Sequence, residues 1–172
     1  FPGGGIGLQV ALVAGEMLPE SLRSRLREEF GVQARQAYGT ADAGALGYEC
    51  REAAGMHVPD EILLELIDPV SGAPVPPGTV GEVVVTLPDR TYPLVRFATG
   101  DLSLLSVDPC PCGRTSPRLL KIAGRVDQVT KVKGMFVHPE PVSQLEGKVR
   151  EVSSAQIVVT REGHEDRMEI RV

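Results

Sequence analysis

The chain has 172 residues, of which 42% are hydrophobic and 24% charged, and its formal net charge is −5. This composition is typical of a globular protein, and the scarcity of aromatic residues (4%, no Trp) predicts a largely aliphatic core. An acidic chain lacks the basic footprint of nucleic-acid binders, and no apolar run in the sequence approaches membrane-spanning length. We therefore expect neither a nucleic acid nor a membrane as a partner.

The first forty residues predict a strand–helix–strand unit. Ile6–Gly15 is a continuous apolar run, as expected of a buried strand. Segment 18–31 has apolar residues at helical spacing, with Pro19 near its start and Gly31 at its end. The run 32–39 predicts a second strand. A strand–helix–strand unit implies that its two strands pair in parallel.

The next region predicts hairpins rather than further strand–helix alternation. We interpret Ala43–Gly47 as a loop of small residues that follows the second strand. Four short strand candidates come after it, and a loop dense in Pro and Gly separates the first two. These strand candidates are segments 61–69, 81–89, 101–107 and 118–124.

The end of the chain predicts a small β-α-β-β tail. A strand over 126–134 precedes a helix that begins at Pro139, and strands over 153–160 and 166–172 follow. A unit this small rarely folds alone, so we expect an incomplete domain and interpret the chain as a fragment. The predicted fold class is therefore α/β, with mixed α+β character.

Three cysteines and one histidine form a candidate zinc site. Cys50 and His57 lie six residues apart, and Cys110 and Cys112 flank a proline that could direct both thiolates the same way. Four such donors close a tetrahedral zinc site, which would make the metal structural rather than catalytic. The alternative is a set of buried or idle thiols. The odd number of cysteines fits a secreted disulfide framework poorly, so we expect a cytoplasmic protein.

Several weaker patterns suggest a nucleotide. Tyr38 and Asp42 lie where the second strand ends, where a ring could stack on a base and a carboxylate could hold Mg²⁺. Composition alone favours a core Tyr and a surface Asp in a turn. Asp101 follows Thr-Gly and could accept hydrogen bonds from ribose hydroxyls. Arg125 and Asp127 place charges of both signs at the boundary with the tail.

Taken together and in order, these motifs resemble the adenylate-forming superfamily of acyl-CoA synthetases, and most closely the phenylacetate-CoA ligase family. The resemblance spans most of the chain. The motifs that carry it are VAGEML (13–18), YGTAD (38–42), PLVRFATGDL (93–102), PCPCGR (109–114) and GRVDQVTKVKGMFVHPEPVSQLE (124–146).

The resemblance implies a fold and an activity. Residues 1–126 would end the large AMP-binding domain, including a zinc-stapled β subdomain, and 127–172 would begin the small mobile C-terminal domain. A carboxylic acid, arylacetic or otherwise aromatic, would attack ATP to give an acyl-adenylate and pyrophosphate. The thiol of CoA would then displace AMP. The implied cofactors are ATP/AMP, CoA, Mg²⁺ and a structural Zn²⁺.

The resemblance also implies roles for individual residues. Asp42 and Arg125 would be catalytic, with Asp42 on Mg²⁺ and Arg125 on the ribose or phosphate. Asp127 would be the hinge about which the small domain swings, and the residues from Ala43 to Gly47 would border the acyl pocket. The residues implied to bind the nucleotide are Gly15, Glu16, Met17, Tyr38, Gly39, Thr40, Ala41, Asp101 and Arg125. The four zinc ligands would be Cys50, His57, Cys110 and Cys112.

Departures from the family pattern leave other interpretations open. Ala41 stands where the family has a hydroxyl, and Asp42 is one methylene shorter than the usual glutamate. The family's phosphate loop would precede residue 1 and its catalytic lysine would follow residue 172, so we expect the chain alone to be inactive. The alternative is a non-catalytic nucleotide-binding or zinc-stapled module. A third alternative is a carboxylate-activating enzyme whose acceptor is not CoA. A homodimer is a further expectation, and the sequence does not reveal which carboxylic acid is activated.

Overall fold

The computed structural model describes residues 7–128, 130–132, 135–137, 142, 149, 152, 154–162 and 165–172. These include twelve strands, the α-helix α1 (Glu20–Phe30) and one 3₁₀ turn, and the isolated described residue Val142 is also helical. The strands are β1 Val10–Val13, β2 Gln33–Thr40, β3 Gly44–Glu49, β4 Met56–His57, β5 Leu63–Ile67, β6 Gly81–Leu87, β7 Leu94–Ser106, β8 Arg118–Arg125, β9 Thr130–Val132, β10 Met135–Val137, β11 Gln156–Glu162 and β12 Glu165–Arg171.

Eight strands make one continuous sheet in the order β1-β2-β3-β4-β8-β7-β6-β5. β1 pairs with β2 in parallel, which confirms the predicted strand–helix–strand unit. Every other neighbouring pair in this sheet is antiparallel. The parallel unit and the hairpin region, which the sequence presents as different in character, therefore share a single sheet.

The helix α1 begins and ends where the sequence predicts. Pro19 has extended backbone before the first turn, and Gly31 ends the helix in the left-handed conformation at φ 68°, where glycine is favoured. No residue of α1 is buried. An ion pair attaches the helix to the sheet, because Arg23 donates to both carboxylate oxygens of Glu49 at 2.8 and 2.9 Å.

The core lies in the antiparallel part of the sheet and is largely aliphatic, as the composition predicts. Leu46, Val83, Val85 and Leu119 have no exposed surface, and the ring of Tyr38 packs in the same cluster. Burial of apolar surface there supplies most of the driving force for folding. The sheet around this cluster is therefore the stable platform on which the candidate sites are built.

Three predicted local structures are wrong. The first strand, β1, is not buried, since Val10 and Leu12 are 60% and 67% exposed. The small residues Ala43–Gly47 lie largely in β3 rather than in a loop, because pairing with β2 compensates for low strand propensity. Asp101 lies inside β7 rather than at its start. The strand pattern was hidden there because Gly100 has φ 77° and register shifts interrupt the pairing of β7.

The tail is described only in part. Val126–Gln128 form a 3₁₀ turn, and among the described residues of the predicted strand over 126–134 Thr130–Val132 form β9, which pairs antiparallel with β10. The last two strands form the predicted hairpin, β11 with β12. The predicted helix from Pro139 falls almost entirely outside the described residues. Within the described part of the chain, no helix is long and apolar enough to cross a membrane.

Candidate functional site

The three cysteines and His57 converge on one point. Their ligand atoms all lie within 4.8 Å of one another, although 60 positions separate Cys50 from Cys110 in the chain. The Sγ atoms of these two cysteines are 3.8 Å apart, and Nε2 of His57 is 3.5 Å from Sγ of Cys112. The thiols are free rather than joined in a disulfide.

The sheet brings these donors together. His57 lies in β4, which pairs with both β3 and β8, so its side chain is fixed between the two loops that carry the cysteines. Cys50 directly follows β3. Cys110 and Cys112 occupy the turn between β7 and β8, where the Gly113 N–H closes the turn onto the carbonyl oxygen of Cys110 at 2.9 Å.

Arg118 joins the two cysteine-bearing loops, a role that the sequence did not predict. Its side chain is buried, and its guanidinium donates to the carbonyl oxygens of Ala54 and Asp108. Ala54 follows Cys50, and Asp108 precedes Cys110. The buried cation therefore satisfies backbone acceptors on both loops and holds them at a fixed separation.

The pKa shifts of His57 and Cys112 favour their metal-binding forms, whereas the pKa of the Cys110 thiol is raised. Burial, together with the positive charges of Arg114 and Arg118, lowers the pKa of His57 and so favours the neutral imidazole. Hydrogen bonding by the backbone N–H of Arg114 is the largest influence that lowers the pKa of Cys112, to about 7. Neutral imidazole and thiolate are the forms that bind metal ions.

The four donor atoms also fit a zinc ion in their number and in their separation. In a tetrahedral site with Zn–S bonds of about 2.3 Å, neighbouring sulfur atoms lie roughly 3.8 Å apart, which matches the pair Cys50 and Cys110. His57 presents Nε2 to the thiols, while its Nδ1 lies 3.1 Å from Oγ of Ser116. An outer partner of this kind fixes the orientation of a ligand histidine. Ser116 is a second residue that the sequence did not reveal.

A second, polar constellation surrounds Asp101. The Tyr38 hydroxyl donates to Oδ2 of Asp101 at 2.9 Å, and Nη1 of Arg125 donates to Oδ1 at 2.9 Å. Thr99 also contributes, since its Oγ1 accepts from the Asp101 N–H at 3.1 Å and lies 3.2 Å from the Tyr38 hydroxyl. Three strands (β2, β7 and β8) thus orient one carboxylate. Burial of Tyr38 is the main cause that raises the pKa of its hydroxyl, which keeps it a donor.

Arg125 connects Asp101 to the start of the tail. Its Nε lies 3.2 Å from Oδ1 of Asp127 in the 3₁₀ turn, while Nη1 contacts Asp101. The close approach requires Gly100, because a Cβ there would lie 2.8 Å from Nη2 of Arg125. The Asp101 side chain is 15% exposed, and that of Asp127 is 72% exposed.

The remaining predicted nucleotide-binding residues lie where β1 and β2 end. Gly15, Glu16 and Met17 follow β1 and are exposed, and Asp42 is exposed in the turn after β2. Because β1 and β2 are parallel, these two segments share one edge of the sheet, where ligands bind in open α/β sheets. Gly39 allows the chain to turn, since a Cβ there would collide with the carbonyl oxygen of Gly44.

Thr40 and Ala41 complete this segment. Oγ1 of Thr40 accepts a hydrogen bond from the Ala43 N–H at 3.0 Å and stabilises the turn, and Ala41 is exposed. The structure thus brings together Tyr38, Asp101, Arg125 and Asp127 by direct contacts. It places the other predicted residues at the carboxyl edge of the parallel strands.

The chain is similar in sequence to known proteins. The chain is 37% identical over 173 aligned residues to a phenylacetate-coenzyme A ligase of Thermus thermophilus, covering 97% of this chain and 39% of that protein. The enzymes of the same name from Aromatoleum evansii and Escherichia coli are 30% and 28% identical, over 96% and 98% of this chain and 38% and 39% of theirs. No family model matches the chain.

Solved structures show the same fold. An open conformation of 2-hydroxyisobutyryl-CoA ligase in complex with 2-HIB-AMP and CoA matches with a TM-score of 0.77 at 27% identity, over 95% of this chain and 39% of that one. The same ligase in its postadenylation state with 2-HIB-AMP matches with a TM-score of 0.76 at 30% identity, over 96% of this chain and 37% of that one.

The described fold is that of the adenylate-forming CoA ligases. Within that class, the chain belongs to the phenylacetate-CoA ligase family, which confirms the resemblance found in the sequence. The chain spans 38% or 39% of the length of these curated relatives.

Proposed function

We propose that the chain forms the nucleotide-binding and hinge part of an AMP-forming ligase that activates a carboxylic acid with ATP and transfers the acyl group to CoA. The curated relatives are named phenylacetate-coenzyme A ligase, and the ligase structures that match the fold were solved with an acyl-AMP. We further propose an aromatic acid, such as an arylacetic acid, as the substrate, because the relatives are phenylacetate-CoA ligases.

The observation that carries the proposal is the hydrogen-bonded Asp101. Its two carboxylate oxygens are oriented by Tyr38 and Arg125, so further lone pairs on both are aligned to accept the two hydroxyls of a ribose. Arg125 places a positive charge beside them, where it would attract the nucleotide phosphate. A preoriented carboxylate loses little entropy on binding, which raises affinity.

Magnesium and the hinge are finer parts of the proposal. The exposed Asp42, at the carboxyl edge of β1 and β2, would hold Mg²⁺ near the phosphates. We place the boundary between the two domains at residues 126 and 127, because β8 ends at Arg125 and the 3₁₀ turn begins directly after it. Asp127 would be the hinge residue about which the small domain moves.

Zinc would be a structural ion held by Cys50, His57, Cys110 and Cys112. With four protein donors its coordination is complete, so it would tie two loops together and leave no position for a substrate. The three free, clustered cysteines also support a reducing, cytoplasmic location. We also propose a homodimer, which sedimentation velocity would detect.

A titration with AMP tests the nucleotide proposal. We expect the chain to bind AMP, and Asp101→Asn to weaken binding by roughly tenfold or more, because hydrogen bonds to a charged acceptor are worth about 1.5–3 kcal/mol. Asp60→Asn removes the same charge from an exposed turn and should leave AMP affinity unchanged. Equal affinities in wild type and Asp101→Asn would contradict the proposal.

A second candidate is a nucleotide-binding module without catalysis. Ala41 favours it, because the family's hydroxyl at this position would contact the nucleotide phosphate. If the 172-residue chain bound AMP but catalysed no ATP–pyrophosphate exchange, the result would fit this candidate. It would fit equally well a ligase fragment that is inactive in isolation, as we expect. Turnover in that exchange assay would exclude it and would contradict the expected inactivity.

A further inference from the structure

A cavity of about 330 Å³ lies between α1, the start of β2 and the turn that joins β3 to β4. Its volume is at the lower end of the range for small-ligand pockets, roughly 300–1,000 Å³. None of its lining residues belongs to either site described above. The charged ones are Arg23, Arg27, Arg35, Arg51, Glu20 and Glu52. This cavity is named the arginine pocket.

The arginine pocket has an unusually polar lining, with four arginines and two glutamates. Glu49 and Glu28, outside the lining, pair with Arg23 and Arg27, so the pocket attracts an anion through its arginine hydrogen-bond donors rather than through a net charge. Typical ligand pockets are mostly apolar, so a lining of this kind favours an anion.

The base of the pocket is held in place by contacts within the chain. Arg23, whose side chain is only 13% exposed, is fixed by its two hydrogen bonds to Glu49. Among the described residues its buried Nε has no hydrogen-bond partner, although Oε2 of Glu20 is 3.2 Å away. Arg35 donates to the carbonyl oxygen of Arg51 at 3.2 Å. Side chains that are already ordered lose less entropy when a ligand binds.

The rim of the pocket carries cations that are only weakly engaged. Arg27 and Arg51 pair with the neighbouring Glu28 and Glu52 at 3.4 and 3.0 Å, and their side chains are 53% and 77% exposed. Exposed pairs of this kind are weak and screened by salt. Both guanidiniums can therefore turn to an incoming anion.

We propose that the arginine pocket binds a phosphate group, free or carried by a small molecule, with Arg27 and Arg51 as its direct ligands. The planar fork of an arginine matches the oxygens of a phosphate, and two such forks can hold one group. This binding is independent of Asp101 and of the proposed activity.

The test uses the isotopically labelled chain and three probes: inorganic phosphate, pyrophosphate and acetate. Backbone amide shifts should change within 20–35 and 51–53 on addition of either phosphate probe. The double variant Arg27→Gln/Arg51→Gln should weaken phosphate binding by about tenfold or more, since two charge-assisted contacts are lost. Inorganic phosphate and pyrophosphate together distinguish a site for one phosphate from a site for a diphosphate.

A charge-matched control separates a site from general electrostatic attraction. Arg25→Gln/Arg90→Gln removes two positive charges elsewhere, because Arg25 pairs with Glu29 away from the cavity and Arg90 lies in an exposed loop. It should leave phosphate affinity unchanged. Equal weakening in both double variants, acetate binding as tight as phosphate, or no shift in the pocket amides would each overturn the proposal. Asp101→Asn, which should weaken AMP binding at the proposed nucleotide site, should bind phosphate normally.

Discussion

The Cys/His cluster and the polar constellation around Asp101 differ in burial and in what their polar atoms contact. The Cys/His cluster is mostly buried, and its donors face one another, so a single ion would satisfy all of them. Asp101 is oriented by neutral and charged donors beside partly exposed Arg125 and exposed Asp127. The same sheet therefore supports two different arrangements: a closed cluster, named the closed site, whose proposed role is stability, and a partly exposed one, named the open site, whose proposed role is to bind a ligand.

The largest expected effect comes from opening the closed site. Chelation of the metal, or Cys110→Ser, should destabilise the fold by at least about 3 kcal/mol, because metal-binding energy is also folding energy. Thermal unfolding followed by circular dichroism, with elemental analysis for one zinc per chain, measures this. Asp101→Asn should respond to chelation as wild type does. Unfolding unaffected by chelation would show that the four donors are idle.

The next-largest effect is expected from Arg118, the buried cation that joins the two cysteine-bearing loops. Arg118→Gln should cost roughly 2–4 kcal/mol, because the carbonyl oxygens of Ala54 and Asp108 lose a buried, charged donor. Urea unfolding with zinc present measures the change. The exposed Arg90→Gln should stay within about 0.5 kcal/mol of wild type. An Arg118→Gln variant as stable as Arg90→Gln would mean that the loops hold their positions without it.

A smaller effect is expected at the open site. Tyr38→Phe keeps the packed ring but removes the donor to Oδ2 of Asp101, so AMP affinity should fall by roughly fivefold, or about 1 kcal/mol. The loss should vanish in an Asp101→Ala background, which calorimetric titration of the two single variants and the double variant would reveal. A loss that persists there would assign Tyr38 a role independent of Asp101.

The smallest expected effect concerns the pKa of Asp68, which lies outside both sites. Backbone N–H and hydroxyl donation by Ser71, followed by the Val70 N–H, lowers the pKa of Asp68. A lowered carboxyl pKa stabilises the fold above the pKa of the unfolded chain. That contribution disappears as pH falls through the folded value. Carboxyl carbon NMR titration should show Ser71→Ala raising the Asp68 pKa toward its ordinary value. An unchanged pKa would mean that the Ser71 hydroxyl contributes nothing.

The sequence predicted those parts of the fold and sites that a local pattern encodes. The helix limits follow from Pro19 and Gly31, and the Cys/His cluster follows from counting four soft donors. Arg118 and Ser116 were missed, because a buried arginine and a serine near a histidine have no signature in a single sequence. The bulged β7 was missed because Gly100 and the register shifts break the alternation that marks a strand.

The most direct test of the central claim compares AMP with 2′,3′-dideoxy-AMP in calorimetric titrations of the chain. If Asp101 accepts the ribose hydroxyls, AMP should bind at least about tenfold more tightly, because the analogue leaves an oriented carboxylate without its partners. Equal affinity for the two nucleotides would contradict the account.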